Sequence, residues 1–260
     1  MQGRHGAGAG ILLLVAACLL LLCETARLAE ASAQAASSPA HAAAQHSLPP
    51  ETRGDVLMAQ GKYMDAIKAY RDAPKDSPMV WNKMGIAWQH LLATGEAKQD
   101  YERALRIKPR YPEAMNNLGT IYYEEKDYKE AEKLYRRALK LMPRSATFYN
   151  NLGAAYFAQG KFRQGASAYQ NAFAIDPAVF SRTSLQGVSA LGSTAQLAHQ
   201  NYCLAELFAR AGMTDRAIEY LRKALNEGFS DRKRLKEDEN FSSLRNTAAF
   251  SQLMTEMKKP

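Results

Sequence analysis

The residues able to do chemistry in this 260-residue chain are scattered, and their spacing fits no arrangement that acid–base, nucleophilic or metal-assisted catalysis needs. His41 and His46 lie in an alanine- and serine-rich stretch, while His90 and His199 are far away in sequence, so no metal-ligand spacing arises. After the N-terminal apolar run there is no glycine-rich phosphate loop, no HExxH, no GxSxG and no pair of cysteines. Glu124, Glu125 and Glu130 stand among lysines, the pattern of solvated helix-surface charge. The expectation is a protein with no cofactor, no metal and no catalytic activity. Amides recur instead: Asn116-Asn117 and Asn150-Asn151 are 34 residues apart. A side-chain amide both donates and accepts, so a row of them can pair with the backbone of an extended peptide whatever its sequence. The same side chains can serve helix packing instead, and the residues alone leave both readings open.

Charge narrows the partner class. The chain has 34 Lys and Arg against 26 Asp and Glu, a net +8, and the excess is spread along it. Nucleic-acid binding needs clustered cations to neutralise phosphates, so no nucleic acid is expected as a partner. The one basic run, Arg232, Lys233, Arg234 and Lys236, is followed by Glu237, Asp238 and Glu239 and reads as a self-neutralising, solvated face. Cys18 and Cys23 fall in the apolar run, leaving Cys203 alone. It is either an intermolecular linker or a small buried apolar residue.

The N-terminus carries an address. Ile11 to Cys23 is unbroken apolar sequence, which suits the core of a secretory signal and falls short of the ~20 residues a helix needs to span a bilayer. Small residues alternate after it, and cleavage is expected near Ala33, making residues 1–33 a signal peptide and the protein exported, periplasmic or envelope-associated. Two other fates attach the chain to a membrane: lipidation at Cys18, where Val15-Ala16-Ala17-Cys18 resembles a lipoprotein box, or retention of the segment as an anchor. Residues 34–50 hold almost no large apolar side chain and cannot bury enough surface to offset chain entropy. They read as a disordered linker.

Beyond the linker the chain repeats. Tyr70, Tyr101, Tyr135 and Tyr169 are separated by 31, 34 and 34 residues, Pro78, Pro109, Pro143 and Pro177 keep the same rhythm, and Gly85, Gly119 and Gly153 are 34 apart. Within a unit, Leu118, Gly119 and Tyr122 recur as Leu152, Gly153 and Tyr156, the spacing of one helical stripe. Ala131, Tyr135, Ala138 and Leu139 make a second stripe. Small residues at Gly119 and Ala131 would let the two helices approach closely, with Tyr135 filling the space above. Asp127 and Glu130 have capping-box spacing, and Pro143 stops the second helix. Two helices every 34 residues give an α-solenoid.

These residues resemble the tetratricopeptide repeat family. Met115 to Tyr122 followed by Ala131, Tyr135, Ala138 and Pro143 carries a full repeat. Tyr149, Leu152, Gly153, Tyr156, Gly160, Phe162, Tyr169, Ala172 and Pro177 carry the next, with Gly165 where alanine is usual. The expected fold is all-α: a right-handed α-solenoid of about five repeats, near 51–78, 79–109, 112–143, 146–177 and 198–229, interrupted by an insert at 178–197. The fifth repeat rests on Ala205, Phe208, Gly212, Ala217, Leu221 and Ala224, and residues 230–260 form a C-terminal cap through Phe250, Leu253, Met254 and Met257. The resemblance implies a concave groove lined by the first helix of each repeat. Carried over position by position, it assigns Asn82, Asn116, Asn150 and Tyr202, then Thr120, then Tyr123 and Phe157 as apolar anchors, with Asn117 and Asn151 at the edge. The aromatic pair can equally be core. The implied function is a non-enzymatic scaffold that holds a peptide or helix of a partner protein. The alternative is a structural subunit whose groove is filled by its own 178–197 insert. The carboxylate clamp of some family members needs paired cations where this chain has asparagine, threonine and alanine.

Overall fold

The computed structural model describes residues 48–182 and 193–257. The signal, the linker up to 47 and the middle of the insert lie outside the described residues. The chain divides into two compact units, with the boundary in sequence between Ala73 and Pro74. Among the described residues every regular element is helical, and no helix is long and apolar enough to cross a membrane.

The first unit holds α1 (Pro50–Ala59) and α2 (Tyr63–Arg71). Gly54 lies against the ring of Tyr70, whose hydroxyl donates to Asp55 at 2.7 Å.

The second unit is a stack of helical hairpins: α3 (Pro78–His90) with α4 (Thr94–Ile107), α5 (Pro112–Glu124) with α6 (Tyr128–Leu141), and α7 (Ala146–Ala158) with α8 (Phe162–Ile175). A short α9 (Val179–Arg182) follows, then α10 (Thr194–Arg210) with α11 (Thr214–Asn226). Helix α10 begins four residues before the 198 boundary expected for the fifth repeat, because Ser193 and Gln196 form a complete capping box. Asp127 caps α6 through one bond only, accepting from the Glu130 amide at 3.2 Å. The reciprocal bond is not made, since the Asp127 amide already donates to the Tyr122 carbonyl at 2.8 Å.

That last bond recurs in every hairpin: Lys62 to Leu57, Ala93 to Trp88, Lys161 to Tyr156 and Met213 to Phe208. Each closes the end of a first helix with a Schellman-type turn, whose left-handed residue is Gly61, Leu92, Lys126, Gly160 or Gly212. The tight turn sets the close helix pairing that the glycines and tyrosines then lock. A methyl group on Gly85 would sit 2.5 Å from the Tyr101 ring, and one on Gly119 would sit 2.7 Å from that of Tyr135. Glycine at this position and tyrosine in the partner helix therefore form one interlocked pair. Gly165 is accounted for in the same way: a methyl group there would meet the Phe157 ring at 2.7 Å, so the larger residue on α7 takes the volume that alanine occupies elsewhere.

Successive hairpins are joined by buried side chains and by ion pairs, Lys98 to Glu125 and Lys161 to Glu132, each at 2.7 Å. The chain after Asn226 folds back on the last hairpin as α12 (Arg232–Glu237), a 3-10 turn (Glu239–Phe241) and α13 (Ala248–Glu256). Leu235, Phe241, Leu244 and Leu253 are fully buried in the core shared with α10 and α11. The expected single capping helix is thus three short pieces. Asp231, Asp238 and Thr247 restart the chain as N-caps.

Candidate functional site

The face to consider is the one carried by the first helices, α3, α5, α7 and α10, which touch one another along the stack. The residue stripe of each begins at the fifth position, where Asn82, Asn116, Asn150 and Tyr202 stand. The structure places them side by side and gives them different work.

Four amides form a continuous chain across three hairpins. Asn151 Nδ2 donates to Asn116 Oδ1 at 3.0 Å, Asn116 Nδ2 to Asn117 Oδ1 at 3.3 Å, and Asn117 Nδ2 to Asn82 Oδ1 at 3.0 Å. Asn82, Asn116 and Asn151 are buried, where an unpaired polar group would cost free energy, so these bonds fix the register between repeats. The expected groove row is here first of all a joint. Thr120 belongs to the packing as well: its hydroxyl donates to the Asn116 carbonyl at 3.2 Å and accepts from Tyr135 at 3.3 Å.

The chain of amides ends at α7 with open valences. Asn151 is fully buried, and its Oδ1 has no hydrogen-bond partner among the described residues. Asn150, 5% exposed, makes no side-chain hydrogen bond among the described residues. Asn150 thus keeps donor and acceptor capacity that the described fold does not use, whereas the spare Asn151 Oδ1 is enclosed.

Two assignments are corrected. Tyr123 and Phe157, expected as apolar anchors in the groove, are 0% and 2% exposed. The Tyr123 ring meets the edge of Tyr128 with centroids 5.2 Å apart, and Phe157 packs on Tyr169 at 5.2 Å and fills the space left by Gly165. In both, the twelfth position turns toward the second helix of its own hairpin, and the aromatic ring is core.

Tyr202 is corrected too. It is 2% exposed because the C-terminal segment covers it: Phe229 stacks on its ring at 4.4 Å, Phe241 meets it edge-on at 5.5 Å, and the Arg234 guanidinium lies over it at 4.4 Å. Its hydroxyl donates to Asp238 Oδ2 at 2.6 Å. On the next turn of α10, Glu206 accepts from Arg234 at 3.4 Å. Burial and the neighbouring Asp238 push the Glu206 carboxyl up to about 7. Burial acts upward on Asp238 as well, but its bonds from Glu206, Tyr202 and Asn240 outweigh that and hold it below its ordinary value. One proton is therefore preferentially kept on Glu206 within an acidic pair.

The first described end of the insert, meanwhile, is built into the core through Val179 and Phe180. Phe180 packs on Tyr169, Phe173 and Phe208 with centroids 5.2, 6.4 and 6.2 Å apart. Among the described residues, it is the C-terminal segment that covers the first-helix face, at the last hairpin. Sequence reading missed this because residues 229–241 carry no repeat pattern. The alternation of aromatic Phe229 and Phe241 with the charges between them was the one signal available.

The remaining chemical candidates resolve as structure. Cys203 is buried and its thiol is pushed up to about 12, chiefly by burial, which leaves it unreactive. His199 stacks on Phe162 at 4.4 Å.

Three family descriptions match this chain: a TPR repeat over residues 119–160, and a tetratricopeptide repeat over 100–133 and again over 146–179. A curated relative, an uncharacterized protein ycf37 of Pyropia yezoensis, is 43% identical over 69 residues, which is 25% of this chain and 39% of that protein. The chain thus spans about two fifths of that relative's length. Among solved structures, MamA 41-end from Desulfovibrio magneticus RS-1 is 20% identical with a TM-score of 0.48, covering 70% of this chain and 94% of that one. YrrB, described as a TPR protein with an unusual peptide-binding site, is 18% identical with a TM-score of 0.47, covering 71% and 87%. From residue 100 to 179 the chain thus matches the tetratricopeptide repeat.

Proposed function

We propose that this protein is a non-enzymatic scaffold that binds a segment of a partner protein on its first-helix face, centred on α7. The observation that carries the reading is the Asn150 amide, which makes no side-chain hydrogen bond among the described residues. A polypeptide backbone offers an amide hydrogen and a carbonyl at every residue, and an asparagine can bond both at once. The neighbouring amide chain, from Asn151 to Asn82, fixes α7 against α5 and α3, so little backbone rearrangement is needed on binding. The face is closed at α10 by the C-terminal segment, which directs a ligand to α3, α5 and α7. We further propose, on the apolar run from Ile11 to Cys23, that the protein is exported and acts in the periplasm or cell envelope. Intact mass of the mature protein tests export, since a chain starting near Gln34 is expected and one retaining residues 1–33 would contradict it.

Binding is tested by selecting peptides on the whole chain from a random library and titrating them against Asn150→Ala. Circular dichroism should be unchanged, and affinity should fall. Equal affinity would move the binding site elsewhere.

A further inference from the structure

The basic run at 232–236 does not neutralise itself as its sequence suggests. Arg234 turns toward Glu206 and Tyr202. Asp238 is taken by Tyr202 and by Asn240, whose backbone and side-chain nitrogens donate to its Oδ1 at 3.0 and 2.8 Å. Arg232 and Lys236, one turn apart on α12, are left on another side, where they meet Arg245 at the wall of a cavity of about 360 Å³. Ser251 and Thr255 of α13 complete the polar wall, and Phe250 and Met254 form an apolar floor. Among the described residues no carboxylate lines this cavity.

Three cations facing one small space repel one another, and without an anion that arrangement costs free energy. The donors are unused as well. Arg232 Nε is buried and has no hydrogen-bond partner among the described residues. Arg245 uses one nitrogen on the Asp238 carbonyl, at 2.8 Å, which fixes its guanidinium in place. Thr255 spends its hydroxyl hydrogen on the Ser251 carbonyl at 2.9 Å, while the Ser251 hydroxyl remains available to donate.

We propose that this cavity is a binding site for a phosphoryl group, with Arg232 and Arg245 supplying directed guanidinium bonds, Lys236 a point charge and Ser251 a hydroxyl donor. A phosphate suits it better than a carboxylate, since its oxygens are disposed tetrahedrally rather than in one plane and so can engage cations from several sides, with a charge approaching −2 in the free ion and −1 in a diester. The chemistry is shared by free phosphate and by an anionic phospholipid headgroup, whose glycerol and first acyl carbons would meet Phe250 and Met254.

The test uses the full chain. Inorganic phosphate is titrated by calorimetry against wild type, Arg232→Gln with Lys236→Gln, Lys236→Gln alone, and Lys233→Gln as a control on the exposed side of α12. Sedimentation with vesicles of equal parts phosphatidylglycerol and phosphatidylcholine runs in parallel. Saturable binding is expected in wild type and in Lys233→Gln, reduced about tenfold or more in the double variant, because charge-assisted bonds are lost. Lys236 is exposed, so its single variant reports on the site even if replacing Arg232 perturbs α12. Vesicle binding that free phosphate displaces would assign the headgroup as the source, and phosphate binding without vesicle binding would assign the free ion. Absence of saturable binding to either probe, or an equal loss in Lys233→Gln, would overturn the proposal.

Discussion

Among the described residues the same face of the repeat is uncovered at α7 and covered at α10, and the contrast turns on one residue position. Asparagine at the fifth position of α5 and α7 pairs with neighbouring amides or keeps its valences free. Tyrosine at that position of α10 instead nucleates an aromatic stack with Phe229 and Phe241 and orders the C-terminal segment over itself. One helical template thus supports a joint, an open site and a closed end. The amide leaves the face polar and narrow, whereas the ring creates apolar area that must be buried.

The largest effects should come from the rings. Phe241→Ala removes a fully buried side chain from the covered end and should cost about 3–5 kcal/mol. Phe157→Ala should cost a similar amount, about 3–5 kcal/mol, because Phe157 is core and not a ligand anchor. Chemical denaturation measures both. A Phe157→Ala protein as stable as wild type would return that residue to the open face.

A smaller, pH-dependent effect should separate the two regions. Glu206 holds its proton more tightly folded than unfolded, so its contribution to stability is complete below its ordinary value of 4.5 and is lost as pH rises through about 7. Asp238, held below its ordinary value, acts in the opposite sense and at lower pH. Between pH 5 and 8 the C-terminal cover should therefore loosen as pH rises, by up to about 3 kcal/mol, and Glu206→Gln should flatten the dependence. Hydrogen exchange of Phe241 and Leu244 amides reads the cover directly. Equal slopes for wild type and variant would contradict the assignment.

Within the amide chain, Asn116→Ala removes one acceptor and one donor and leaves buried Asn151 Nδ2 unpaired. It should cost about 1–3 kcal/mol of stability. Asn150→Ala, which breaks no bond, should cost less than about 0.5 kcal/mol. Thermal melts of the two variants distinguish joint from open site within one repeat face.

How much of this was legible follows from the range of each interaction. The pairing of Gly119 with Tyr135 was readable because both partners lie in one repeat and recur at a 34-residue step. The amide chain was not, since Asn151 meets Asn116, and Asn117 meets Asn82, across 35 residues. That offset depends on how one hairpin is rotated against the next. The burial of Phe157 had a signal in Gly165, whose missing methyl group is the counterpart of the extra ring volume. The cover over Tyr202 had no periodic signal, and its polar contacts come from Arg234 and Asp238, in a run of charges whose directions the sequence does not give.

The central claim is that the open Asn150 amide on α7 takes a partner's backbone, and the most direct measurement is the affinity of one library-selected peptide for wild type and for Asn150→Ala. At about 0.5–1.5 kcal/mol per lost hydrogen bond, a single bond predicts a loss of roughly two- to twelvefold, and two bonds the square of that, with an unchanged melting temperature. Identical affinities in both proteins, with the peptide protecting the α7 face from exchange in neither, would contradict it.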